Sequence, residues 1–263
     1  MNMRILAVSV LLSAFVCASA LALAPMGPPT ATLKTGQFRA GFDFSTSQTD
    51  IEADYGDDYV ELWKDVQSNM FAANIGYGIC DDWEIFTRLG VADAGFDEFE
   101  NDGETTDWDI DGDYGFLFGL GTKITWAKQE NINWGALFQI HWLNSKASTT
   151  DVVDTTVLEE DLDIKMVEIQ VAVGPTWMVN DNLSIYGGPF FHFIGGDADY
   201  DAVLTIDGSV DSTNSSSADL EEESSFGGYI GAQYELDTNA SVYAEFQFTG
   251  DAWAFGTGIG WRI

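Results

Sequence analysis

From about residue 35 to its end the chain repeats one unit: roughly ten residues of alternating character, closed by a tight turn or by a long connection. Period two is the mark of a strand with unlike faces, and no amphipathic helical pattern of useful length competes with it. Ten such segments are predicted, near 35–45, 67–79, 83–92, 114–126, 132–143, 164–179, 183–195, 226–236, 240–249 and 252–263. Short turns fall at Cys80-Asp81-Asp82, Ala127–Asn131, Asn180-Asp181-Asn182 and Asp237-Thr238-Asn239, and long connections at 46–66, 93–113, 144–163 and 196–225. Only Thr249-Gly250-Asp251 is short where a long connection is due.

Short turns on one side and long loops on the other are the layout of a closed, antiparallel, up-and-down transmembrane β-barrel. The faces agree. Near 114–126, Tyr114, Phe116, Phe118, Leu120, Ile124 and Trp126 alternate with Gly115, Gly119, Gly121 and Lys123; the last segment sets Trp253, Phe255, Ile259 and Trp261 against Ala254, Gly256, Gly258 and Gly260. The apolar face carries no Asp, Glu, Lys or Arg at a central position in any of the ten segments. A basic residue facing mid-bilayer lipid costs roughly 2–4 kcal/mol. Aromatic residues form two bands: Trp83, Trp126, Trp134, Trp177 and Trp261 toward the short turns, and Phe44, Tyr114, Phe116, Trp142, Phe193, Phe226, Phe248 and Trp253 toward the long connections. Two girdles at headgroup depth are the expected reason.

Charge excludes some partners. Forty-three acidic residues against ten basic ones leave a net charge of −33, so nucleic acid and anionic lipid surfaces are not expected ligands. Yet 46% apolar and 14% aromatic content is too rich for a disordered acidic chain.

Residues 1–20 read as a signal peptide: Arg4, an apolar run Ile5–Val16, and Ala18-Ser19-Ala20 before the cut, with Ala22 and Ala24 as alternatives. Roughly twenty apolar residues would be needed to span as a helix, and this run is shorter. Cys17 lacks a good lipobox. Residues 21–35, with Pro25, Pro28 and Pro29, are expected to form a periplasmic leader, and 36–263 the barrel. Cys80 would be the one mature cysteine; followed by Asp81 and Asp82, it reads as a turn residue rather than an activated thiol. Pro175 and Pro189 fall inside strands, each after a glycine, where a bulge or kink is expected.

The pattern resembles the small Gram-negative outer-membrane barrels of the OmpA/OmpX and opacity-protein type, over essentially the whole stretch from Gly36. The ending Phe255–Ile263 looks like the terminal strand such proteins present to the barrel-assembly machinery, although it closes on Ile263 where the family usually has Phe or Trp. The resemblance implies residence in the cell outer membrane, contact with its lipid, and a monomer.

Three groups could carry chemistry. Arg39, Asp43, Glu84, Arg88, Lys123, Glu168, Glu235 and Glu245 have inward parity and are expected to pair as a buried charge network, with a charged constriction as the alternative. His141 and His192 also face inward at similar height, with Gln170 between them, and read as interior filling. They lack a recognisable partner motif, and neither G-x-S-x-G nor H-E-x-x-H occurs, so no enzyme is expected. Asp107, Asp109, Asp111 and Gly112 spell half a calcium loop, but Phe118 stands where its bidentate Glu belongs. Loose divalent-cation binding with Asp113 is the residual expectation, and no other cofactor is expected. The long connections hold most of the acid and read as solvated loops, Ser215-Ser216-Ser217 among them. Together these features predict a passive envelope protein, in one version a narrow cation-preferring pore. The rivals are surface binding or adhesion through acidic loops and, least favoured, a barrel enzyme.

Overall fold

The computed structural model describes residues 23–56, 60–101, 104–153, 155–222, 225–236 and 239–263, with backbone alone at 96–101, 104–105, 107–111, 151 and 153. The signal-peptide residues 1–20 lie outside the described residues. The strands are β1 (Phe38–Asp54), β2 (Val60–Cys80), β3 (Trp83–Ala92), β4 (Phe96–Asn101), β5 (Glu104–Lys128), β6 (Ile132–Val153), β7 (Thr156–Met178), β8 (Leu183–Ile206), β9 (Ser209–Glu222), β10 (Phe226–Glu235), β11 (Ala240–Phe248) and β12 (Ala252–Arg262).

Ten of these close an antiparallel ring, β1-β2-β3-β5-β6-β7-β8-β10-β11-β12 and back to β1. All ten expected segments are in it. Residues with apolar parity face out: Phe42, Ile75, Leu89 and Ile230 are each more than half exposed. This is the opposite of a soluble fold and fits a hydrocarbon surround. The five tryptophans Trp83, Trp126, Trp134, Trp177 and Trp261 are exposed at the short-turn end.

The long connections are not solvated loops. β5 to β8 run 22 to 25 residues, more than twice the roughly 9–11 that cross a bilayer. Their upper halves, with β4 and β9, form a second tier above the first. There the order becomes β1-β2-β4-β5-β6-β7-β8-β9 and back to β1: β4 bridges β2 and β5 above the end of β3, and β9 joins β8 to β1 through Ile51↔Glu222 to Asp54↔Asp219. The short turn at Thr249–Asp251 now has a reason. β10, β11 and β12 stop at the top of the ten-strand ring, and β9 takes their place above it.

The tier is built inside out relative to the ring. Along β7, Asp161 and Asp163 face outward while Leu162, Ile164 and Met166 are buried. Four residues on the sense reverses: Val171 and Val173 face outward, and Glu168 and Gln170 are buried. Trp63, Leu162, Ile164, Ile194 and Leu220 join in a continuous apolar core inside the tier. Ser215-Ser216-Ser217, expected to be a mobile tract, is regular strand in β9.

Pro175 and Pro189 produce no bulge. The β7–β8 register is the same at Ala172↔Phe190 and Thr176↔Tyr186, and the ladder lapses between them. Two missing proline donors in one short stretch account for the lapse.

Candidate functional site

The ten-strand ring encloses the segment expected to be a periplasmic leader. Leu23 to Thr30 are all buried, and the chain rises through the lumen from the turn end. Its base is fixed where the Gly36 N–H meets the Gly78 carbonyl at 2.8 Å and the Thr35 N–H meets Asp81 at 2.9 Å. Its described upper end is Leu23, whose N–H reaches Ser47 Oγ at 2.8 Å and whose side chain packs with Ala252 and Ala254. The periplasmic placement is therefore corrected: residues 23–33 fill the barrel. Carboxylates lining a narrow lumen need donors, and the backbone of this segment supplies them.

Glu84 Oε2 accepts from the N–H groups of Thr32 at 2.7 Å and Leu33 at 3.1 Å. Glu245 takes one leader N–H on each oxygen, Met26 and Gly27, both at 2.7 Å. Glu168 Oε1 accepts from the Ala24 N–H at 3.2 Å. The carbonyls are met too: Arg88 donates to Pro25 O at 2.6 Å, and Gln139 and Gln247 to Ala24 O at 3.1 and 3.0 Å. An unpaired backbone group here would cost about 1–3 kcal/mol. Pro25, Pro28 and Pro29 lower that demand, because each lacks an N–H. Glycines make the room. Gly27 sits at φ 67°, in the left-handed region, and a Cβ on Gly256 would stand 2.9 Å from Pro25.

The expected charge network is only partly one of opposite charges. Asp43 and Arg88 pair at 2.7 Å, with Tyr243 and Asn74 also donating to Asp43 at 2.8 Å each. Arg39 stands 3.7 Å from Glu84, and Glu235 meets Arg262 near the turn end. Lys123 lies over the Phe86 ring, 5.6 Å from its centroid. Glu245 instead serves the leader and Gln247, and Glu168 the Ala24 N–H and the two histidines; parity gave their direction but could not say that backbone would meet them.

His141 and His192 are brought together by a residue assigned elsewhere in the sequence reading. Glu168 stands between them, 3.2 Å from His141 Nδ1 and 3.3 Å from His192 Nε2. Glu222 of β9 completes the row, 2.5 Å from His192 Nδ1. Glu222 was missed, as were Gln139 and Gln247; with Gln170, expected between the histidines, these two hydrogen-bond in a chain across the lumen. The available signal was inward parity: Glu222 follows Leu220 and Ala218 on the same face. Both histidines are at most 2% exposed, beneath the tier's apolar core and above most of the leader. The geometry of the row lets it share protons.

Asp107, Asp109 and Asp111 lie in the extended backbone of β5, which does not curl around an ion as a calcium loop does. Asp113, with Lys146, Asp161, Asp163, Asp199 and Asp201, borders a solvent-open concavity of about 780 Å³ on the tier. Lys146 pairs with Asp163 at 3.2 Å and Lys165 with Asp199 at 3.0 Å. The Asp199 carboxylate raises the Lys165 ammonium above its usual range, and hydrogen bonds from Thr35 hold Asp81 below the ordinary carboxylate range.

The family model described as "Outer membrane protein beta-barrel domain" matches residues 82–253. The chain belongs to that family. This outer-membrane barrel thus has the fold and the location expected of it. No curated protein matches the sequence. Among solved structures it is similar to the outer membrane protease OmpT from Escherichia coli, at 10% identity over 91% of this chain and 99% of that one, with a TM-score of 0.47. It is also similar to the outer membrane protein OprG from Pseudomonas aeruginosa, at 11% identity over 88% and 97%, with a TM-score of 0.43. The attachment invasion locus protein Ail of Yersinia pestis aligns at 13% identity over 87% and 99%, with a TM-score of 0.27. A protease and an attachment protein share the company of this barrel, and their roles remain their own.

Proposed function

We propose that this outer-membrane barrel is a closed anchor, neither pore nor enzyme, that holds an acidic β-tier above the membrane for surface binding. The observation that carries this reading is the doubly filled interior. Residues 23–33 occupy the ten-strand ring, and the apolar core around Trp63 and Leu162 fills the tier above it. Inside the ring, a space of about 30 Å³ beside Met26, Arg88 and Lys123 has room for no more than a few waters. A conducting path needs a continuous water file, and carboxylates already holding backbone N–H groups are poor steps for a cation. The narrow cation-preferring pore is therefore the less favoured version, and the buried histidine row favours filling over catalysis.

The barrel is read as a monomer whose last strand hands it to the assembly machinery. β12 closes on β1, and the Ile263 N–H finishes that closure on the Phe38 carbonyl at 2.9 Å. Planar-bilayer recording on the folded full chain tests the reading. We expect no discrete conductance steps; steady ion-selective current from the full chain overturns it.

A further inference from the structure

Above the tier, four strands continue alone. β6, β7, β8 and β9 stay paired to their tips, at Val153↔Thr156, Thr156↔Ile206 and Ile206↔Ser209. The neighbours that close the ring lower down have fallen away. β1 accompanies β9 only over Asp219–Glu222, so among the described residues 209–218 pair with β8 alone. A ten-residue sheet edge is left standing in solvent.

Edges are usually blunted by lysine, by proline, by strong bulging or by a covering element. This one carries Ser209-Val210-Asp211-Ser212-Thr213-Asn214-Ser215-Ser216-Ser217-Ala218, with neither lysine nor proline. Its one irregularity lies near the tip, where the register shifts between Leu204 and Thr205, leaving 212–218 in regular register. Ser212 to Ser217 are exposed on both faces. In an antiparallel edge strand about half of the residues turn N–H and C=O away from the sheet. Small hydroxyl side chains leave those groups open to a neighbouring backbone.

The charge around the edge selects the partner. Asp211 and Asp219 bracket it on β9, and Asp197, Asp199 and Asp201 stand on the outer face of β8 beside it. Lys146 and Lys165, cations on that face, are already paired to Asp163 and Asp199. A second copy of this chain would bring another −33 of charge against these carboxylates, so self-pairing is opposed. We infer that the exposed edge of β9 is a docking site for an extended basic polypeptide segment, which adds as a strand at 212–218 and sets alternate Lys or Arg side chains against the acids. The main chain supplies affinity, and the carboxylates choose the charge.

This rests on the surface-binding reading and gives it a partner and a mode. The test uses the folded full chain in detergent micelles, and a fluorescent ten-residue peptide of alternating lysine and threonine. Two control peptides accompany it: one with alternate backbone nitrogens methylated, and one with glutamate in place of lysine. The parent peptide is expected to bind. The N-methylated peptide keeps its charge but loses its donors, and should bind at least ~10-fold more weakly. The acidic peptide should not bind, and the double variant D211N/D219N, checked for folding by heat-modifiable migration, should bind more weakly with a shallower salt dependence. Equal binding of the parent and N-methylated peptides overturns strand addition while leaving an acidic binding surface. No binding of the parent at low salt overturns the inference as well, and conductance in the bilayer assay would separately remove the reading beneath it.

Discussion

The ten-strand ring and the eight-strand tier share six of their strands, yet they bury opposite kinds of residue. In β8, Phe191 and Phe193 face outward from the ring while His192 is buried; higher up, Asp197, Asp199 and Asp201 face outward while Ala198 and Ala202 are buried. Between β7 and β8 the pleat and register continue without a break from one region to the other. The surround is what changes. Where hydrocarbon touches the outside, apolar side chains go there and polar ones turn inward, needing partners from the wall and the leader. Where water touches the outside, the hydrophobic effect returns the apolar set to the inside. A strand can therefore be amphipathic in both senses, and the change of sense marks where the outer membrane's apolar band ends.

The comparison can be broken most sharply in the tier's core. Trp63→Ala removes a side chain that is 1% exposed, in an aqueous-type core, and should destabilise the tier by about 3–5 kcal/mol. Hydrogen exchange resolved along β7 should show protection lost at 158–164 and kept at 168–173. Uniform loss would mean that the two regions fold as one. Next comes the lipid face: Ile230→Arg, at a residue 58% exposed, should cost roughly 2–4 kcal/mol by guanidinium unfolding in lipid vesicles. The same change at Asp199 should stay within about 0.5 kcal/mol. Similar costs at both sites would refute the assignment of surrounds.

Glu245→Ala should cost roughly 2–4 kcal/mol, because the Met26 and Gly27 N–H groups lose their acceptors together. Protease cleavage within residues 23–33 of the folded variant would report the release. An uncleaved leader would mean that its other partners, Glu84, Arg88 and Glu168 among them, hold it without Glu245.

The smallest effect is acid release of the leader's base. Asp81 has its carboxyl held below 3.8 by hydrogen bonds from Thr35. A depressed carboxylate stabilises the fold fully above the unfolded value and loses that contribution as pH falls through the folded one. Exchange at the Thr35 amide should accordingly quicken only below about pH 4, and Asp81→Asn should abolish the step.

Much of this was legible in the linear pattern, and its limits are instructive. Ten spanning segments followed from alternation without mid-face charge, because no other fold tolerates a wholly apolar outer face. The acidic connections were misjudged because Asp161-Leu162-Asp163-Ile164 has the same period two with its polarity exchanged, and an acidic run suggests solvated loop. Side-chain parity showed that Glu84, Glu168 and Glu245 point inward. It could not reveal their partners, since those are backbone N–H groups up to 219 residues away. Nothing local distinguishes a proline-rich segment lying in the periplasm from one threaded through a lumen.

Sequence alone determined the ten membrane-spanning segments, the lipid-facing side and the aromatic girdles, because each depends on the residue and its medium. Closure of the second tier by β9, the burial of Leu23–Thr30, and the gathering of His141, Glu168, His192 and Glu222 were decided only in three dimensions. They depend on which distant groups meet once the ring has closed.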